Sequence, residues 1–150
     1  MKRLMLAAAA ALLAACASKG APDGAAQYKA LAAPTPAGVA TIVAASSDGQ
    51  NVTVKKGTTI AVELVGTPTA GYIWRVLQKP AFLEAAGEYG GPTSSAQLEP
   101  GFAGGDHWEA FLFTVTATGE GELRFQQGRA WEEGPDADGA AFSVYLFAEE

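Results

Sequence analysis

Short runs of alternating apolar and polar residues recur along this chain and do most to limit what it can fold into. Ile60, Val62 and Leu64 alternate with Thr59, Ala61 and Glu63, and Tyr72, Trp74 and Val76 alternate with Ile73, Arg75 and Leu77. Phe111, Phe113 and Val115 alternate with Leu112, Thr114 and Thr116, and Leu123 and Phe125 flank Arg124. Phe142, Val144 and Leu146 alternate with Ser143, Tyr145 and Phe147. A period of two sends successive side chains to opposite faces, so each run predicts a strand with one buried face. Thr41 to Val43 and Val52 to Val54 are shorter strand candidates.

Turn chemistry separates the runs at Ser47-Asp48-Gly49, at Lys56-Gly57 and at Thr118-Gly119-Glu120-Gly121. The last of these joins two strong strands and predicts a tight hairpin. One short helix is expected, around Pro80 to Ala86, with Gly87 ending it. About seven short strands without helical crossovers predict an all-β fold, an immunoglobulin-like antiparallel β-sandwich. Trp74, on a central strand just after a loop, is the expected core tryptophan.

The first residues read differently. Lys2 and Arg3 precede an unbroken apolar run from Leu4 to Ala15. That length fits a signal-peptide core and is too short to span a bilayer. Leu13-Ala14-Ala15-Cys16 resembles a bacterial lipobox, in which the cysteine would carry lipid and become the first mature residue. Cys16 is the chain's one cysteine, so a lipidated Cys16 leaves none for a disulfide. Ala17 is not acidic, which by the same resemblance implies the outer membrane, with the domain facing the periplasm or the surface. The expected organisation is a leader over 1–15, a flexible tether over 16–38 rich in Ala, Pro, Gly and Ser, and one domain over 39–150.

Charge and composition exclude several functions. Removing Lys2 and Arg3 takes the formal charge from −6 to −8 and leaves no basic patch, so nucleic acid is a poor partner. His107 is the single histidine, its neighbour Asp106 would point to the other side of a strand, and nothing marks a nucleophile. Asp136-Ala137-Asp138-Gly139 echoes the start of a calcium loop, but Phe147 stands where the closing carboxylate belongs. The expectation is a non-enzyme with no cofactor and no metal.

Three loop segments remain. Thr67-Pro68-Thr69-Ala70-Gly71 lies between two predicted strands. Pro68 fixes φ there and Gly71 tolerates positive φ, which makes a stiff turn with small residues at its tip. The second segment, Pro100 to Asp106, is glycine-rich and carries Phe102. The third, Gly128 to Gly139, sets Trp131 among Arg129 and four acidic residues. Read alone, the first is a plain turn and the second a connector. A tryptophan in a charged loop points outward, as interface anchors do.

Taken together, the three resemble the chagasin family of cysteine-protease inhibitors over roughly Gly38 to Glu150. Members carry N-P-T-T-G followed by an aromatic and a Trp, then G-x-G-G, then R-P-W or R-P-F. Here the first motif stands as Thr67-Pro68-Thr69-Ala70-Gly71-Tyr72-Ile73-Trp74 and the third as Arg129-Ala130-Trp131. The second is Phe102-Ala103-Gly104-Gly105, or Gly101 onward with one residue inserted. The resemblance implies a reversible, non-covalent inhibitor of papain-like cysteine proteases that acts as a monomer. Pro68 to Gly71 would lie across the catalytic cysteine, with Thr69 nearest the catalytic pair. Phe102 to Gly105 and Arg129 to Trp131 would grip the two sides of the cleft. An alternative is a lipid-anchored immunoglobulin-like module for binding or envelope assembly, with no effect on proteases.

Overall fold

The alternating runs become strands whose in-phase residues meet in one core. The computed structural model describes residues 28–129, 131 and 138–150. Eight strands run in order: β1 (Thr41–Ala44), β2 (Asn51–Lys55), β3 (Thr59–Gly66), β4 (Ile73–Gln78), β5 (Leu83–Pro92), β6 (His107–Val115), β7 (Gly119–Gly128) and β8 (Asp138–Glu149). They form two four-stranded sheets, β1-β3-β6-β5 and β2-β8-β7-β4, which face each other as a sandwich.

The core holds the residues that the alternation sends inward. Ile60, Val62 and Leu64 from β3 meet Phe111, Phe113 and Val115 from β6, and Leu123, Phe125, Phe142, Val144 and Leu146 from the other sheet. Phe125, 1% exposed, lies between three rings, with centroids 5.0 Å from Phe111, 6.1 Å from Phe142 and 6.3 Å from Phe113. Tilted and edge-on pairs of this kind add roughly 0.5–1.5 kcal/mol each beyond area burial. Trp74 is 9% exposed and its indole N–H donates to the Val65 carbonyl at 2.9 Å, which ties β4 to β3 across the sheets.

The structure differs from the sequence expectation in four places. The helix around Pro80 to Ala86 does not form. From Leu83 onward the chain is a ten-residue edge strand on β6, with Leu83 buried opposite Val115. Ala-rich composition favours helix there, but the ladder to β6 and the burial of Leu83 outweigh it. The alternation of β5 was hidden by its edge position, its glycines and a bulge between Ala85 and Gly87.

Thr118 to Gly121 is not a hairpin. β6 is paired on both sides, by β3 and β5, so the chain crosses to the other sheet and β7 pairs with β8 and β4. The sandwich is also not wholly antiparallel. β1 runs parallel to β3 and β2 parallel to β8, because the short turn after β1 carries the chain from one sheet to the other.

The fourth difference concerns the expected tether. The leader, Cys16 and the tether up to residue 27 lie outside the described residues. From Lys29 to Thr35, however, the chain is docked on the outer face of the first sheet. Lys29 and Leu31 bond the Thr93 to Ser95 segment, Leu31 O accepts the Trp108 indole N–H at 2.8 Å, and Thr35 donates to Glu63. Pro34 packs on Gly91. Buried or sheet-facing backbone groups need partners, and this outer face supplies them.

Candidate functional site

Register places the three loops at one end of the sandwich. Gly66 at the end of β3 pairs with His107 at the start of β6, and Pro92 at the end of β5 pairs with the same residue. Ile73 at the start of β4 pairs with Gly128 at the end of β7, and Gly128 pairs with Asp138 at the start of β8. The β3–β4, β5–β6 and β7–β8 connections therefore emerge side by side.

The first loop closes on itself. Thr67 and Tyr72 exchange backbone bonds of 2.8 and 3.2 Å at its stem. Pro68 to Ala70 make one 3-10 turn, and Gly71 reverses the chain at φ 84°. Proline suits the start of such a turn and glycine the left-handed exit. Pro68, Thr69 and Ala70 are exposed.

The second loop is held by Gln97, which the sequence reading did not single out. Its side-chain oxygen accepts from the Thr93 and Ser94 N–H groups at 2.7 and 3.0 Å, while its amide donates to Asp106 O at 2.9 Å. Ser94 caps the Ser95–Leu98 turn and completes a capping box with Gln97. The Ser-x-x-Gln spacing was a legible signal for it. Gly101, Gly104 and Gly105 adopt positive φ. Phe102 does not, so Gly101 takes the demanding conformation and Phe102 is unstrained. Phe102 is 47% exposed, and Ala103 is exposed beside it.

The third loop reaches back over the first. Arg129 Nε donates to Ala70 O at 2.9 Å, and its guanidinium carbon stands 4.4 Å above the Tyr72 ring centroid and 6.0 Å from that of Trp131. Trp131 is 69% exposed, yet its ring edge covers Gly71 so closely that a Cβ there would stand 2.1 Å from Cη2. Ala130 and the acidic run 132–137 lie outside the described residues.

A link between the first two loops was not visible in the sequence. The Thr67 hydroxyl donates to Asp106 Oδ1 at 2.8 Å. The substituted Thr67 thus spans two loops, and Ala70 serves through its carbonyl, which needs no hydroxyl. Of the expected residues, Thr67, Ala70, Arg129, Trp131 and Gly71 are linked in a chain of contacts, Thr67 to Ala70, Ala70 to Arg129, Arg129 to Trp131 and Trp131 to Gly71. Phe102 to Gly105 join them through Asp106.

Pro68, Thr69, Ala70, Phe102, Ala103 and Trp131 give this end an exposed surface of small and aromatic groups. His107 opens β6 and pairs with Gly66 on one side and Pro92 on the other.

The model of the chagasin family peptidase inhibitor I42 matches residues 53–146. A cysteine protease inhibitor from Entamoeba histolytica, EhICP2, superposes with a TM-score of 0.61 at 14% identity, covering 73% of this chain and 95% of its own. The solution structure of amebosin superposes with a TM-score of 0.56 at 23% identity, covering 73% and 97%. Among curated proteins no match is found. The two superpositions share the sandwich, and the family match spans strands β3 to β7 and all three loops. The chain belongs to the chagasin family of peptidase inhibitors and is not an enzyme.

Proposed function

We propose that the three-loop end blocks the active-site cleft of a papain-like cysteine protease, reversibly and without a covalent bond. The observation that carries this is the cross-linking of the loops. The exposed Pro68 to Ala70 tip is fixed from one side by Arg129 and Trp131 and from the other by Asp106. Preorganisation lowers the ordering cost of association and favours tight binding. The fold is also that of a protein described as a cysteine protease inhibitor.

The tip is not a substrate. A scissile peptide binds extended so that its carbonyl meets the nucleophile, whereas Pro68 to Ala70 are folded into a turn with Gly71 N–H bonded to Pro68 O at 2.9 Å. Presenting that carbonyl requires breaking the turn and the Arg129 contact. Thr69 stands at the apex, nearest the catalytic pair. Phe102 to Gly105 on one side and Arg129 to Trp131 on the other flank the cleft. Cys16 carries the lipid, and the inhibitor works as a monomer tethered to the outer membrane.

The test is titration of the purified protein against papain and a cathepsin L-like enzyme with a fluorogenic substrate. Competitive, reversible inhibition between nanomolar and low-micromolar concentration supports the reading. Its absence at tens of micromolar, with the protein folded, overturns it in favour of a binding or assembly role.

A further inference from the structure

Beneath the first loop lies a carboxyl group that the three-loop surface does not use. Glu109 follows the phase of Phe111 and Phe113 on β6, so the strand turns it toward the core at the loop end. Its Oε2 accepts the Trp74 backbone N–H at 2.9 Å, across from one sheet to the other. Its Oε1 is buried with no hydrogen-bond partner among the described residues. Gly66 makes room for it: a Cβ on Gly66 would stand 1.8 Å from Oε1 and 3.1 Å from Tyr72 O. Glu109 therefore fills the space under the Thr67–Tyr72 stem and grips the strand leaving it.

We propose that Glu109 is a positioning residue of the inhibitory loop, bracing its stem through the Trp74 N–H. The loop's role rests on the function proposed above, whereas the bracing does not. A carboxylate with a buried oxygen that accepts no hydrogen bond is disfavoured relative to the acid form. Burial pushes the Glu109 carboxyl above its ordinary value, the Trp74 N–H opposes this, and Glu88 from β5 adds to it. His107, two residues along the same strand, also opposes it. β3 and β4 face the group with Gly66 and the Trp74 N–H.

The experiment compares the protein with its Glu109→Gln and Glu109→Ala variants by amide hydrogen exchange, by the pH dependence of the Trp74 amide shift and by inhibition of papain. Glu109→Ala should speed exchange at Trp74 by about tenfold, the effect of one lost hydrogen bond, and weaken inhibition by a similar factor. In the parent the Trp74 amide should titrate above the ordinary carboxylate range. In Glu109→Gln, which keeps an acceptor oxygen, exchange and inhibition should stay near the parent and that titration should vanish. Unchanged exchange in Glu109→Ala, or an unaltered titration in Glu109→Gln, overturns the proposal. Exchange and titration need no protease, so a failure of papain inhibition itself removes the protease reading and leaves the bracing to be judged by the amide.

Discussion

Replacing Gly71 by alanine tests how the first and third loops depend on each other. Two separate costs arise at that position. At φ 84° an L side chain is strained by roughly 1–2 kcal/mol. Against this, alanine restricts the unfolded chain and returns about 0.4–1 kcal/mol. The net loss of stability is then about 1 kcal/mol, a drop in Tm of a few degrees. The second cost is steric. The new Cβ would stand 2.1 Å from Trp131 Cη2, far inside contact distance, so the indole must leave Gly71. Trp131 is mostly exposed, and its departure costs the fold little. At an interface, the displacement of a seated tryptophan is worth about 2 kcal/mol, or roughly thirtyfold in the inhibition constant. Gly71→Ala and Trp131→Ala should therefore weaken inhibition alike, and the double variant should be little worse than either. Progress curves with papain give the constants, and calorimetry gives the Tm. If the two effects multiply to nearly a thousandfold, the residues act independently and the indole does not depend on Gly71.

Three further outcomes are expected. Thr69→Arg should abolish inhibition while leaving Tm unchanged, since Thr69 is exposed at the tip; surviving inhibition would show that the tip does not enter the cleft. Phe125→Ala, at the meeting point of three rings, should cost about 3–5 kcal/mol in urea denaturation, and a loss below 1 kcal/mol would deny its central place in the core. The Glu109 carboxyl is raised in the folded state, so the folded protein binds more protons than the unfolded chain. Its contribution is full below the unfolded value of 4.5 and is lost as pH rises through the folded value. Denaturation across pH should show Glu109→Gln gaining on the parent over that window, and a constant difference between the two would contradict it.

Much of the fold was legible because local periodicity and burial coincide. Ile60, Val62 and Leu64 sit in the core where alternation put them, as do Phe111, Phe113 and Val115. β5 was hidden because an edge strand with one partner needs no alternating face. The segment Glu84-Ala85-Ala86-Gly87 is a strand only because β6 offers it a ladder. At the site, Pro68 and Gly71 announced a stiff turn, and Trp131 among charges announced an exposed ring. Asp106 gave no signal, since an aspartate after two glycines looks like any solvated turn residue.

The sequence by itself determined the features that depend on neighbours along the chain. These are the strand periods, the Pro68–Gly71 turn, the Ser94–Gln97 cap and the inward phase of Glu109. Only the tertiary structure decided which sheet each strand joined, that β7 crosses away from β6, and that residues 29–35 dock on the first sheet. It also decided that Thr67 meets Asp106 and that Trp131 covers Gly71, across 39 and 60 residues of chain. The physical reason is that φ/ψ preference and side-chain period act over a few residues. Pairing and loop contact instead depend on which distant groups compete for the same edge, and β6, paired on both sides, had no edge left to offer.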